Sequence, residues 1–89
     1  MLAITRRRNQ TTRIGDFTLR LDDFNATGAR FTVLGNDGRI LRTTSVPMAR
    51  ALYLAAGVYV VPTECRGGQL KIGIQAPPEV AIQRDAIKQ

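Results

Sequence analysis

The chain has 89 residues, 44% hydrophobic and 22% charged, and its thirteen basic against seven acidic side chains leave a net charge of +6. A domain this short buries only about 60% of its unfolded surface, so its core is thin and a partner subunit would help it. There is no histidine and a single cysteine, Cys65, which removes the commonest neutral-pH base, the commonest zinc ligand and any internal disulfide. With no phosphate-cradling glycine loop or nucleophile elbow either, no enzyme, cofactor or metal is expected. No apolar run reaches the roughly 18 residues of a membrane helix. Arg6, Arg7 and Arg8 follow the first apolar residues instead of preceding them as in a secretory leader, so a cytoplasmic protein away from membranes is expected. The excess positive charge favours a polyanion such as RNA or DNA, and the three consecutive arginines make a local field that scattered charges would not.

Leu2, Ile4 and Arg6 alternate with Ala3 and Thr5, the period of a strand that starts almost at Met1. Asn9-Gln10 reads as a turn, and a short strand over 11–14 ends at Gly15-Asp16. Residues 17–21 alternate again. Asp22, Asp23, Asn25 and Gly28 give the next stretch the composition of a loop, with the acidic pair as a solvated turn. Residues 30–34 and 39–43 flank Gly35-Asn36-Asp37-Gly38, which predicts a hairpin. Met48, Ala51, Leu52 and Ala55 stand at helical spacing after Ser45-Val46-Pro47, so the spacing predicts a short helix over 47–56, apolar on nearly all sides and stopped by Gly57. A strand follows over 57–61, and Pro62 behind it implies an edge or a bulge. After the Gly67-Gly68 turn, Leu70, Ile72 and Ile74 face one way and Lys71, Gly73 and Gln75 the other. Ala76-Pro77-Pro78 stops that strand, since two prolines cannot both donate to a ladder, and Val80, Ile82 and Arg84 alternate with Ala81 and Gln83 in a last one.

Met1-Leu2-Ala3-Ile4-Thr5-Arg6-Arg7, Ile14-Gly15-Asp16, residues 67–74, Ala76-Pro77, and the run from Glu79-Val80 to Arg84-Asp85 with Ile87 after it are similar, in that order, to pieces of the carbon storage regulator (CsrA/RsmA/RsmE) family of translational repressors. The resemblance covers roughly half of the chain and lapses between Asp16 and about Val58. It implies a mainly β fold with a short helix, a strand-exchanged homodimer of small sheets in which the first strand of one chain lies beside the fifth of the other. On this reading residues 1–89 are one domain, and residues 17–57 are an insertion carrying a hairpin and a helix, similar to the RsmN/RsmF branch. Thr32-Val33-Leu34-Gly35 with Gly38 also looks like the family's third strand and turn, which would be an internal duplication. Residues 39–46 do not reproduce the glycine-centred strand at 70–75, which counts against one.

The resemblance further implies RNA as partner, bound at GGA in the unpaired loop of an mRNA leader so that ribosome access is blocked, with small RNAs as sequestering partners. By matching motif, the site falls on Ile4, Thr5, Arg6 and Arg7 of one chain and on Ala76, Pro77, Val80, Ile82, Arg84 and Ile87 of the other. These residue types suit unpaired RNA. Ile4, Val80 and Ile82 offer an apolar floor, Arg84 a planar fork for a phosphate or a guanine edge, and the arginine run a phosphate contact weakened by salt. With few aromatics, no stacking platform is expected. The competing readings are a protein-binding antagonist or mixed-dimer former of the same family, and a nonspecific basic nucleic-acid-binding protein.

Overall fold

Alternating apolar side chains need a second apolar face to cover them, and here two antiparallel sheets cover each other. The structure, a computed structural model, describes residues 1–83, and these contain strands and turns and no helix. The four-stranded sheet runs β1 (Leu2–Arg6), β8 (Gln69–Gln75), β7 (Val58–Arg66) and β6 (Leu52–Ala55). The five-stranded sheet runs β5 (Ile40–Pro47), β4 (Gly28–Leu34), β3 (Phe17–Asn25), β2 (Thr11–Ile14) and β9 (Ile82–Gln83). Ile4, Val60, Leu70, Ile72 and Ile74 from the first sheet and Ile14, Leu19, Leu21, Phe31 and Val33 from the second join in one buried cluster. That is the inward-facing set the period-two pattern selects.

Two expectations are corrected. Residues 47–56 form no helix: Pro47 closes β5, Ala49 takes a positive φ of 68° that a right-handed helix does not admit, and Leu52 begins a strand. The segment was apolar on all sides because it feeds a sheet, where Leu52 is buried and Tyr53 exposed, and not because a helix is enclosed there. The loop expected from Asp22 is also strand, since β3 continues to Asn25 through a register shift between Leu21 and Asp23. The bulge leaves Asp22 and Asp23 inside the strand without breaking it. The turn itself is only Ala26-Thr27, held by Asn25 Oδ1, which accepts from the Thr27 nitrogen at 2.8 Å and the Thr27 hydroxyl at 2.6 Å. The bulge that Pro62 implied is present, between Pro62 and Glu64.

A constant shift along the chain carries β2 onto β6, β3 onto β7 and β4 onto β8. It also carries the bulge after Leu21 onto the bulge after Pro62. Strands β4 and β8 have the same burial pattern position by position. β1 corresponds to β5, each antiparallel to its β8 or β4 neighbour at a sheet edge. Even the strained residues match, one position short of that shift. Asn9 (φ 69°) and Ala49 (φ 68°) are the two non-glycine residues of positive φ. Asn9 N donates to Leu21 O at 2.6 Å, and Ala49 N donates to Pro62 O at 2.7 Å. The chain is therefore an internal repeat. Residues 39–46 did not match 70–75 because they open the second half and do not end the first. Residues 17–57, read as an insertion, supply β3 to β6 and so belong to both halves.

The halves exchange strands. β1, from the first half, pairs with β8 of the second, Ile4 opposite Ile72 and Arg6 opposite Leu70. β5 and β9, from the second half, flank the β4-β3-β2 unit of the first. The resemblance implies such an exchange between two subunits; in the structure it closes within one chain. Among the described residues the symmetry is broken once, because β9 beside β2 has no counterpart beside β6.

Two substitutions check this construction by urea denaturation. Phe31→Ala removes a ring that is 0% exposed and is expected to cost about 3 to 5 kcal/mol, most of the stability of so small a domain. Ala49→Gly relieves the left-handed alanine and is expected to add about 1 kcal/mol, whereas Asn9→Gly changes little because asparagine already tolerates that conformation.

Candidate nucleic-acid interface

The three consecutive arginines leave β1 through a turn, and the turn sends them to three different places. Arg6, half-buried, donates from Nε to its neighbour Thr5 O at 2.8 Å and from Nη1 to Thr11 O at 3.2 Å. Thr11 opens β2, so Arg6 ties the edge strand of one sheet to the other sheet. Arg7 is exposed; its main-chain nitrogen is held by Gln10 Oε1 at 2.7 Å, and its guanidinium has no hydrogen-bond or ion-pair partner among the described residues. Arg8 turns back onto the fold. Its Nε pairs with Asp23 Oδ1 at 2.7 Å, Nη2 donates to Phe24 O at 3.0 Å, and the guanidinium lies 4.5 Å from the Phe24 ring centroid. The run of charge therefore supplies one inter-sheet tie, one free cation and one structural clamp.

The other candidate residues sit on the segment between β8 and β9. Ala76 and Pro77 are half-buried, and Val80 N donates to Pro77 O at 3.0 Å to close the turn. Gly15, at φ +58°, is the place where this segment seats. A Cβ there would lie 3.1 Å from Val80 Cγ1, and Gly15 N donates to Ala81 O at 2.9 Å. Ile82 then pairs with Ile14 and Gln83 with Arg13. A cavity of about 490 Å³ lies against this seat, lined among others by Phe17, Ala55, Val58 and Val80. Thr5 is exposed, while Ile4 is 4% exposed and belongs to the core beneath the surface. Val80 and Ile82 are half-buried against the same core. Arg84 and Ile87 lie outside the described residues. Strand β2 is thus where the two pieces of the candidate site come together: Arg6 reaches its first residue and β9 pairs with its last two.

On the outer face of the five-stranded sheet most cations are engaged. Arg20 Nε bonds Asp22 Oδ1 at 2.7 Å, Thr32 Oγ1 bonds Asp22 Oδ2 at 2.5 Å and lies 3.2 Å from Thr43 Oγ1. Arg13 donates to Gly15 O at 2.8 Å and to Asn36 Oδ1 at 2.6 Å. Arg7, Arg39 and Arg50 keep exposed guanidinium groups without such partners among the described residues. The face of the other sheet is different. Tyr53 of β6, 57% exposed, stands opposite Tyr59 of β7, with ring centroids 4.9 Å apart and planes at 44°. Reading Tyr53 as helical hid this pair, which only a strand register brings face to face.

Burial alone would raise the Asp22 carboxyl, but the Thr32 hydroxyl, the Arg20 guanidinium and the more distant Arg30 outweigh it and hold the group below its ordinary 3.8. Asp23 is likewise lowered, first by Arg8 and then by the Phe24 amide. A carboxyl whose folded pKa is depressed stabilises the fold above its unfolded value and loses that contribution as pH falls through the folded one. Thermal stability is therefore expected to decline as pH drops below about 4, and Asp22→Asn to flatten part of that decline. In comparisons with known proteins, no family model, no curated protein and no solved structure matches the chain.

Proposed function

We propose that this chain is an RNA-binding translational regulator that recognises GGA in an unpaired loop of an mRNA leader and competes with the ribosome for it. The observation that carries the reading is the Arg6-to-Thr11 bridge beside β9: the two pieces that the family resemblance assigns to different subunits border one strand of one chain. A second copy is not needed to assemble them. The homodimer of the resemblance is replaced by two halves joined covalently, and because only one half carries a fifth strand among the described residues, each chain has one such site. Arg7 supplies positive charge to phosphate, and Arg84, assigned by the family resemblance, supplies it to phosphate or a guanine edge. The half-buried Val80 and Ile82, packed against the core cluster that Ile4 also joins, give unpaired bases an apolar floor. A cytoplasmic location goes with this function.

Titrating a GGA hairpin, its CCA version and duplex DNA at two salt concentrations tests it. Preference for GGA is expected at both. Arg84→Ala is expected to weaken the GGA hairpin by about 1 to 3 kcal/mol with the CCA affinity little changed, and Arg7→Ala to weaken all three ligands alike and lower the salt slope by about 1. Equal affinity for the three ligands would leave only the nonspecific reading.

A further inference from the structure

The repeat makes a second junction between the sheets, where β5 leads into β6. There Arg42 of β5 donates from Nη1 to Tyr53 O of β6 at 3.4 Å; it joins the elements that match β1 and β2, but from the opposite strand end to Arg6, since its register places Arg42 where β1 has Leu2. Where the first junction has β9, no strand pairs with the outer edge of β6 among the described residues. What stands there instead is the Tyr53 ring, 57% exposed and propped by Tyr59. Behind the pair, Val61 of β7 is opposite Gly73 of β8 and Gly73 is opposite Ala3 of β1, and the Met1 side chain lies over Gly73, its Sδ 2.6 Å from where a Cβ would stand.

We infer that this open end is a stacking site for an unpaired nucleobase of single-stranded nucleic acid, separate from the GGA site. For its ligand class the inference rests on the nucleic-acid reading above; its residues are different. An exposed ring fixed by a second ring is a preorganised platform, and stacking accepts any base because every base has a π face. The surroundings favour a polyanion: Arg42 stands at the Tyr53 carbonyl, Arg50 is exposed without a partner among the described residues, and the chain carries +6. An added peptide strand fits less well. One carbonyl of the short edge is already taken by Arg42, and the β6 register shifts between Tyr53 and Ala55, which breaks the ladder a strand would extend. The half of the repeat that lacks a fifth strand thus keeps a nucleic-acid contact of another kind.

The chain contains two tyrosines and no tryptophan, so its tyrosine emission reports on this pair alone. Titration with a short oligoadenylate lacking GGA is expected to quench that emission to saturation. Tyr53→Ala, at an exposed position, is expected to weaken oligoadenylate binding, followed by anisotropy of a labelled strand, about 5- to 150-fold, while Tyr53→Phe retains it. Affinity for a minimal GGA hairpin should be unchanged in both variants. If the hairpin binds while oligoadenylate leaves the emission unaltered, or if Tyr53→Ala binds oligoadenylate like the parent, the stacking site is overturned and the GGA reading stands. If neither RNA binds, both fall.

Discussion

The pairing of each end of the chain with the opposite half is the constraint on which the molecule depends. β1 is covered only by joining β8, and the β4-β3-β2 unit is flanked only when β5 and β9 come back to it. Neither half can bury its apolar faces alone, and one core cluster draws on both. Joining the halves in one chain replaces an association that would depend on concentration by closure of a loop, whose entropic cost grows slowly with length. Pairings this distant in sequence also make folding slow compared with a helical protein of the same size.

The same exchange decides what the charges do. A basic run on a strand end would present all its cations to a ligand if the strand simply continued, but the left-handed Asn9 turns the chain and spends Arg8 on Asp23 and Phe24. The five-stranded sheet ties down Arg13 and Arg20 as well. The net charge of +6 therefore overstates the free cationic surface, which among the described residues is left to Arg7, Arg39, Arg50 and Lys71. Breaking the symmetry at β9 has a parallel effect on apolar surface. One junction is sealed by Val80 over Gly15, and the other is left with an exposed tyrosine.

Much of the fold was legible where one face of a strand is buried. Leu70, Ile72 and Ile74 alternate with polar neighbours, the Gly35-Asn36-Asp37-Gly38 turn stands between its two strands, and Pro62 marks a bulge. The helix over 47–56 misled because a nearly all-apolar run fits more than one period, so the helical spacing of Met48, Ala51, Leu52 and Ala55 and the proline before them argued for the wrong element. Asp22 and Asp23 misled because a bulge tolerates polar residues inside a strand, and composition alone does not distinguish it from a loop. The repeat was nearly invisible in residue identities: Gly28–Leu34 and Gln69–Gln75 share a burial pattern and no residue at any matched position. Of the candidate site, the choice of residues rests on the family resemblance, and the structure adds only where Ile4 to Arg7 and Ala76 to Ile82 lie. That Ile4 is core and Arg8 a clamp follows from packing, which no local pattern encodes.

A covalently closed pair of halves with one fifth strand has a stoichiometry that a two-subunit repressor does not share. Native mass spectrometry of the protein mixed with excess GGA hairpin measures it directly. One chain of 9.8 kDa carrying one RNA at the GGA site is the expected species. A complex of two chains, with free protein at twice the chain mass, would contradict it.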